Sequence, residues 1–287
     1  MQQREKIEKV LSETNDEPTQ IDRIAEIRGW FRPEKDSVFY PAVQNYVNNK
    51  SDLQTAVAQI TKPIDEAITA QKFDSISWED LWNSIVHSAK RIPFQQNEHS
   101  QLLDLVKAIK KHPEPSPTQE QSKYDNLFGL GLQVREAYND NPRVDVGKYP
   151  PETHAWTNLN YFLALLTESE VLKLHIYVIW AMRDALEEKA DPVQEWYDAN
   201  VPAAAMWVFV LGRKLYEREE DLTPKDDYEG NPARGGELWT GGSEFSKARW
   251  AFWKKRFGEV AQHEGLRQET KDIAKEAVTA MEKAESS

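Results

Sequence analysis

The chain has 287 residues, with 36 Lys plus Arg against 48 Asp plus Glu and no cysteine. That length makes one or two domains with room for a full hydrophobic core. The net charge of −12 opposes a phosphate backbone and disfavours nucleic acid as a partner. The missing cysteine excludes disulfide scaffolds, iron–sulfur clusters, Cys-ligated zinc and thiol nucleophiles.

The opening segment MQQREKIEKVLSET (1–14) is charged throughout and has no apolar run of the kind that targets secretion. A cytoplasmic or nuclear protein is expected. A helical period then sets in. Ile7, Val10 and Leu11 recur at three and four, as do Leu53, Val57, Ile60, Ile64 and Ile68, and Leu102, Leu105, Val106 and Ile109. Ser77 with Asp80 predicts a capping box that opens a helix, and Thr167 with Glu170 predicts a second. Pro192 and Pro202 each suit a first helical turn, where the missing N–H is harmless. The segment HPEPSPTQEQ (112–121) has prolines at every second position and cannot be helix interior. It is read as a connector between an N-terminal half (1–111) and a C-terminal half (122–287), with a single continuous helical domain left open. Seven of the ten tryptophans lie in the second half.

Two segments there are apolar nearly all round, 171–187 and the helix after Pro202. The second contains the twelve-residue uncharged run 201–212, too short to span a bilayer. Helices of that kind sit inside an assembly. The expectation is an all-α fold, an orthogonal multi-helix array with two central apolar helices and no significant sheet. A loop at 221–242 carries two prolines and five glycines and is long for a compact domain.

LFGLGLQVREAYND (127–140), HAWTNLNYFLALLT (154–167), IWAMRDALEE (179–188), VPAAAMWVFVLGRKLY (201–216) and GGELWTGGSEFSKARWAFWKKRF (235–257), followed by the tail ETKDIAKEAVTAME, occur in that order. In this arrangement the chain resembles a fungal family known as domain of unknown function 3632, over about residues 40–284. The resemblance implies an intracellular helical protein. It carries no reaction and no catalytic residues.

Catalytic motifs are absent. There is no GxSxG, no P-loop and no HExxH, and Gly129–Leu130–Gly131 lacks the third glycine of a dinucleotide site. The six histidines have no metal-ligand spacing, and no aspartate-rich magnesium signature occurs. No catalytic residue, metal or cofactor is assigned.

Four features remain, each with two readings. His175 is either a buried general base or a hydrogen-bonded core histidine. Arg183 and Asp184, with Glu187 one turn on, and Asn158 and Asn160 beside Trp156 either line a pocket or form a structural polar network. A helix over 243–262 carries Trp250, Trp253 and Phe257 on one face. Five cations (Lys247, Arg249, Lys254, Lys255, Arg256) and no acid lie within 245–256. It reads as an interaction helix, or as a core stripe backed by a basic face that is solvated or lies over the acidic stretch 217–229. Arg234, Gly235 and Gly236, with Ser243 opening the basic helix, form either an anion site or a glycine loop with a serine cap.

Two functions follow. The first is a non-enzymatic protein-interaction or regulatory module, with self-association open to it. The alternative is a small-molecule-binding protein, or an unusual metal-independent enzyme, with an aromatic pocket in the C-terminal half. Trp156, Asn160, His175, Arg183, Asp184, Trp207 and Arg213 would line that pocket around an apolar ligand.

Overall fold

The computed structural model describes residues 2–115, 123–142, 148–190, 193–226, 228 and 230–286. The protein is all-α. Among the described residues the strands are β1 (Glu220–Asp221) and β2 (Glu244–Phe245), a two-residue antiparallel ladder. The chain divides into two compact units, Met1–Asn141 and Pro142–Ser287. Of the proline-rich segment 112–121, residues 116–121 lie outside the described ones.

The first unit contains α1 (Gln2–Glu13), α2 (Glu17–Arg28), α3 (Pro33–Asp36), α4 (Tyr40–Val47), α5 (Leu53–Thr69), α6 (Trp78–Arg91), α7 (Glu98–Lys110) and α8 (Leu130–Asn139). Helix α6 is its axis and packs on α2, α4, α7 and α8. Its start is set as the sequence predicts, with Ser77 Oγ accepting from the Asp80 amide at 3.3 Å. Leu81, Trp82 and Ile85 are fully buried. Asp52 caps α5 in the same way, at 2.7 Å from the Thr55 amide.

The second unit contains α9 (Pro150–Glu168), α10 (His175–Met182), α11 (Val193–Glu217), α12 (Lys247–Ala261) and α13 (Gln268–Ser286). Helix α11 packs on α9, α10, α12 and α13. Three sequence expectations are corrected here. Thr167 opens no helix. It lies in the last turn of α9, its hydroxyl donates to the Leu163 carbonyl at 2.8 Å, and Glu170 takes a left-handed φ of 59°. Burial of α9 carries it through the predicted cap. Pro202 lies inside α11, because the preceding turn is already helical and burial against α9 and α13 outweighs one lost backbone bond. Pro192 lies outside the described residues. The expected helix over 171–187 is interrupted. Only His175–Met182 is α-helical, and Arg183–Glu187 forms a π turn closed by the Glu188 amide on the Arg183 carbonyl at 3.0 Å.

The basic helix starts later than Ser243. Ser246 is its cap, with Oγ 3.1 Å from the Arg249 amide. Trp250, Trp253 and Phe257 are buried, as their spacing predicts.

Candidate functional site

The π turn fixes the chemistry of the second unit. A regular helix would stack Glu187 over Arg183 as an i, i+4 pair. The wider turn carries Glu187 off that face and into the core, where it meets Arg249 of α12. Arg249 Nε lies 2.7 Å from Glu187 Oε1 and Nη2 lies 2.9 Å from Oε2. Both side chains are 0% exposed. Trp253 Nε1 donates to Oε1 at 2.6 Å and the Gly236 amide to Oε2 at 3.0 Å. The guanidinium's other donors reach the carbonyls of Ala233 (3.1 Å), Glu244 (2.9 Å) and Arg234 (3.5 Å). All five donors are therefore used, and each carboxylate oxygen accepts twice. The rings of Trp239 and Trp253 lie 5.6 and 5.5 Å from the guanidinium carbon.

The glycines of the loop are steric requirements of this arrangement. A Cβ on Gly236 would lie 2.6 Å from the Glu187 backbone, and one on Gly235 or Gly241 would collide with the Trp239 ring. The loop that sequence reads as either an anion site or a glycine loop with a serine cap thus surrounds a carboxylate, and that carboxylate is the chain's own. Arg234 is exposed and contributes only its carbonyl. Lys247 stands over the Tyr216 ring and donates to the Tyr216 carbonyl.

Most of the other flagged residues also meet partners within the unit. Asn160 is fully buried. It donates to the Trp156 carbonyl at 2.9 Å and accepts from Trp207 Nε1 at 2.9 Å. Trp156, Asn160 and Trp207 therefore form one polar connection between α9 and α11. Arg183 donates to the carbonyls of Pro232 and Arg234 at 3.4 and 3.3 Å and lies 3.8 Å from Asp184. The Asp184 carbonyl accepts from Trp196 Nε1 at 2.5 Å. Arg213 is on the surface, 2.6 Å from Glu217. His175 opens α10 half-buried, and burial foremost pulls its pKa down.

The basic face is not uniformly solvated, which corrects the sequence expectation. Lys255 is 75% exposed, but Arg256 turns inward to the Leu186 carbonyl (3.0 Å) and the Tyr197 hydroxyl (2.8 Å). Lys254 meets Glu285 of α13 at 2.6 Å, so a carboxylate of the tail takes the place expected of the 217–229 stretch.

In the first unit, an open groove of about 840 Å3 runs along α5 and reaches Ala108 and His112. Leu53, Val57, Ala58 and Ala70 give it apolar walls. Its polar end is a linked trio. His112 Nε2 lies 2.8 Å from Asp65 Oδ2, and the buried Tyr124 hydroxyl donates to Asp65 Oδ1 at 2.8 Å. Burial, then the Asp65 carboxylate, raises the Tyr124 pKa far above its usual value. Sequence reasoning passed over this site, because Asp65 and Tyr124 are 59 residues apart.

Among the described residues no group of three His, Asp or Glu could hold a metal ion, and no helix is long and apolar enough to cross a membrane. The family described as "protein of unknown function (DUF3632)" matches residues 82–257. The chain belongs to that family. The DUF3632 span runs from α6 to α12 and so contains Glu187, Gly236, Arg249 and Trp253. No curated protein and no solved structure matches the chain.

Proposed function

We propose that this member of the DUF3632 family is a non-enzymatic protein-interaction module whose N-terminal unit receives an amphipathic helix of a partner protein. The fungal, intracellular setting carries over from the family resemblance. The observation that carries the reading is the α5 groove, which is open and apolar-walled, with polar groups gathered at one end. In the second unit, by contrast, Arg249 and Trp253 close on Glu187, and Trp207 on Asn160.

The groove also indicates its occupant. Ala58, Thr61, Ala70 and Ala108 are small and let a second backbone come close. Leu53 and Val57 supply apolar contact. At the polar end Asp65 is held by His112 and Tyr124, and Glu66 is the carboxylate left to meet a cation on the incoming helix.

The test uses two labelled 16-residue amphipathic peptides with the same apolar face, one with a lysine polar face and one with a glutamate polar face. Saturable 1:1 binding of the lysine peptide, tighter than the glutamate peptide and abolished by Ala58→Arg, supports the proposal. Equal binding of both peptides, or binding indifferent to Ala58→Arg, overturns it. So does a concentration-dependent dimer that Ala58→Arg dissolves, since the groove would then serve a second copy.

A further inference from the structure

A second recess of the first unit stands apart from the α5 groove. It is a cleft of about 460 Å3 between α6 and α8, with Gly29, Trp30 and Phe31 also in its lining. Gly29 ends α2 with a left-handed φ of 79°, and this turn sets Trp30 and Phe31 against the cleft. The Phe31 ring rests edge-on against His87, 5.2 Å between centroids, and His87 is held by Asp22 at 2.7 Å. The aromatic wall therefore has a rigid backing.

The polar groups lining the cleft differ from those of the second unit because several have no partner. Gln133 of α8 is only 8% exposed and lines the cleft, yet its side-chain amide makes no hydrogen bond among the described residues. The amide faces the cleft and is not sealed from solvent, so a guest can pair with it there. Glu79 on α6 and Glu136 on α8 also line the cleft and make no ion pair among the described residues. Lys90 is already committed to Asp140 at 3.0 Å and stands 5.2 Å from the Trp30 ring centroid. Three carboxylates against one ammonium leave the cleft net negative, and an aromatic wall adds attraction for cations. The volume is that of a small-molecule site.

We infer that this cleft binds a small alkyl diammonium. Its two cationic ends pair with Glu79 and Glu136, an N–H meets the Gln133 carbonyl oxygen, and its apolar stem lies along Leu132 and Trp30. A free diamine and a lysine side chain share an ammonium on an alkyl stem, but only the diamine carries a second cationic end for the second glutamate. The experiment separates them.

Calorimetric titration of the whole protein with 1,5-diaminopentane, 1-aminopentane and the capped tripeptide acetyl-Gly-Lys-Gly-amide tests the inference. Saturable 1:1 binding of the diamine is expected, at least tenfold tighter than the monoamine or the tripeptide. Glu79→Gln, Glu136→Gln and Gln133→Leu should each weaken it at least tenfold. The two glutamates are exposed, so their variants keep the fold. Gln133→Leu removes only an unpartnered amide, so its melting temperature should hold or rise while binding falls, which a purely structural Gln133 would not produce. Tighter binding of the tripeptide than of the diamine would transfer the site to a protein lysine and overturn the free-diamine assignment. Absence of saturable diamine binding, or binding unchanged in the Glu79→Gln/Glu136→Gln double variant, would overturn the inference and leave the peptide test of the α5 groove unaffected.

Discussion

Glu187 and Arg249, 62 residues apart in sequence, share a two-pronged ion pair at 2.7 and 2.9 Å with no solvent on either side chain. Removing one partner leaves the other charged and buried, at a cost of about 3–5 kcal/mol. Glu187→Met and Arg249→Met should each lower the unfolding free energy from urea titration by that order. The double variant should lose clearly less than the sum, because the residues couple directly. Additive losses would mean that the pair does not exist in solution.

Gly236→Ala should destabilise by about 1–3 kcal/mol, the usual range for overpacking, since its Cβ would sit 2.6 Å from the Glu187 backbone. Gly258→Ala is the matched control. It lies inside α12 with nothing within 4 Å of the new carbon, and should stabilise by about 0.5–1 kcal/mol through helix propensity. Thermal melts of the two variants should move in opposite directions.

Trp207→Phe keeps most of the apolar volume but leaves Asn160 Oδ1 without its 2.9 Å donor. A loss of about 1–3 kcal/mol is expected. Trp207→Ala should lose about 3–5 kcal/mol. Equal losses in denaturant titrations would assign the whole effect to packing and none to the hydrogen bond.

His99 is fully buried beside the Ile92 carbonyl at 2.8 Å, and burial pulls its pKa down to about 4. Between that value and its ordinary 6.5 the unfolded chain binds the proton and the folded chain does not. This contribution to stability is therefore complete above pH 6.5 and is lost as the pH falls toward 4. His99→Gln should flatten the acid side of the stability profile relative to the parent. A profile of unchanged slope over that interval would contradict the assignment.

The elements that sequence made legible are those governed by local period and local caps. The Ser77 cap follows from its capping box, and the buried faces of α5 and α7 and the Trp250, Trp253 and Phe257 stripe follow from three- and four-residue spacing. What escaped depends on long-range geometry. Arg183 and Glu187 look like a helical pair until a π turn separates them. Arg249 looks like one of five surface cations until Glu187 arrives from 62 residues away. One signal was present. Arg249 lies four residues before Trp253, on the stripe's own face, where a solvated cation has no place. Gln133 offered no such signal, because an unpartnered amide is a property of packing. The Thr167 cap failed because tertiary burial of α9 overrode a local preference.

The central claim is that recognition belongs to the α5 groove of the first unit, while the second unit's charged interior is structural. Affinity for the lysine-faced peptide, measured beside the melting temperature in Ala58→Arg and Glu187→Gln, tests it most directly. The account predicts that Ala58→Arg abolishes binding and keeps the melting temperature, whereas Glu187→Gln lowers the melting temperature and keeps the affinity below it. Loss of binding in folded Glu187→Gln, with binding intact in Ala58→Arg, would contradict it.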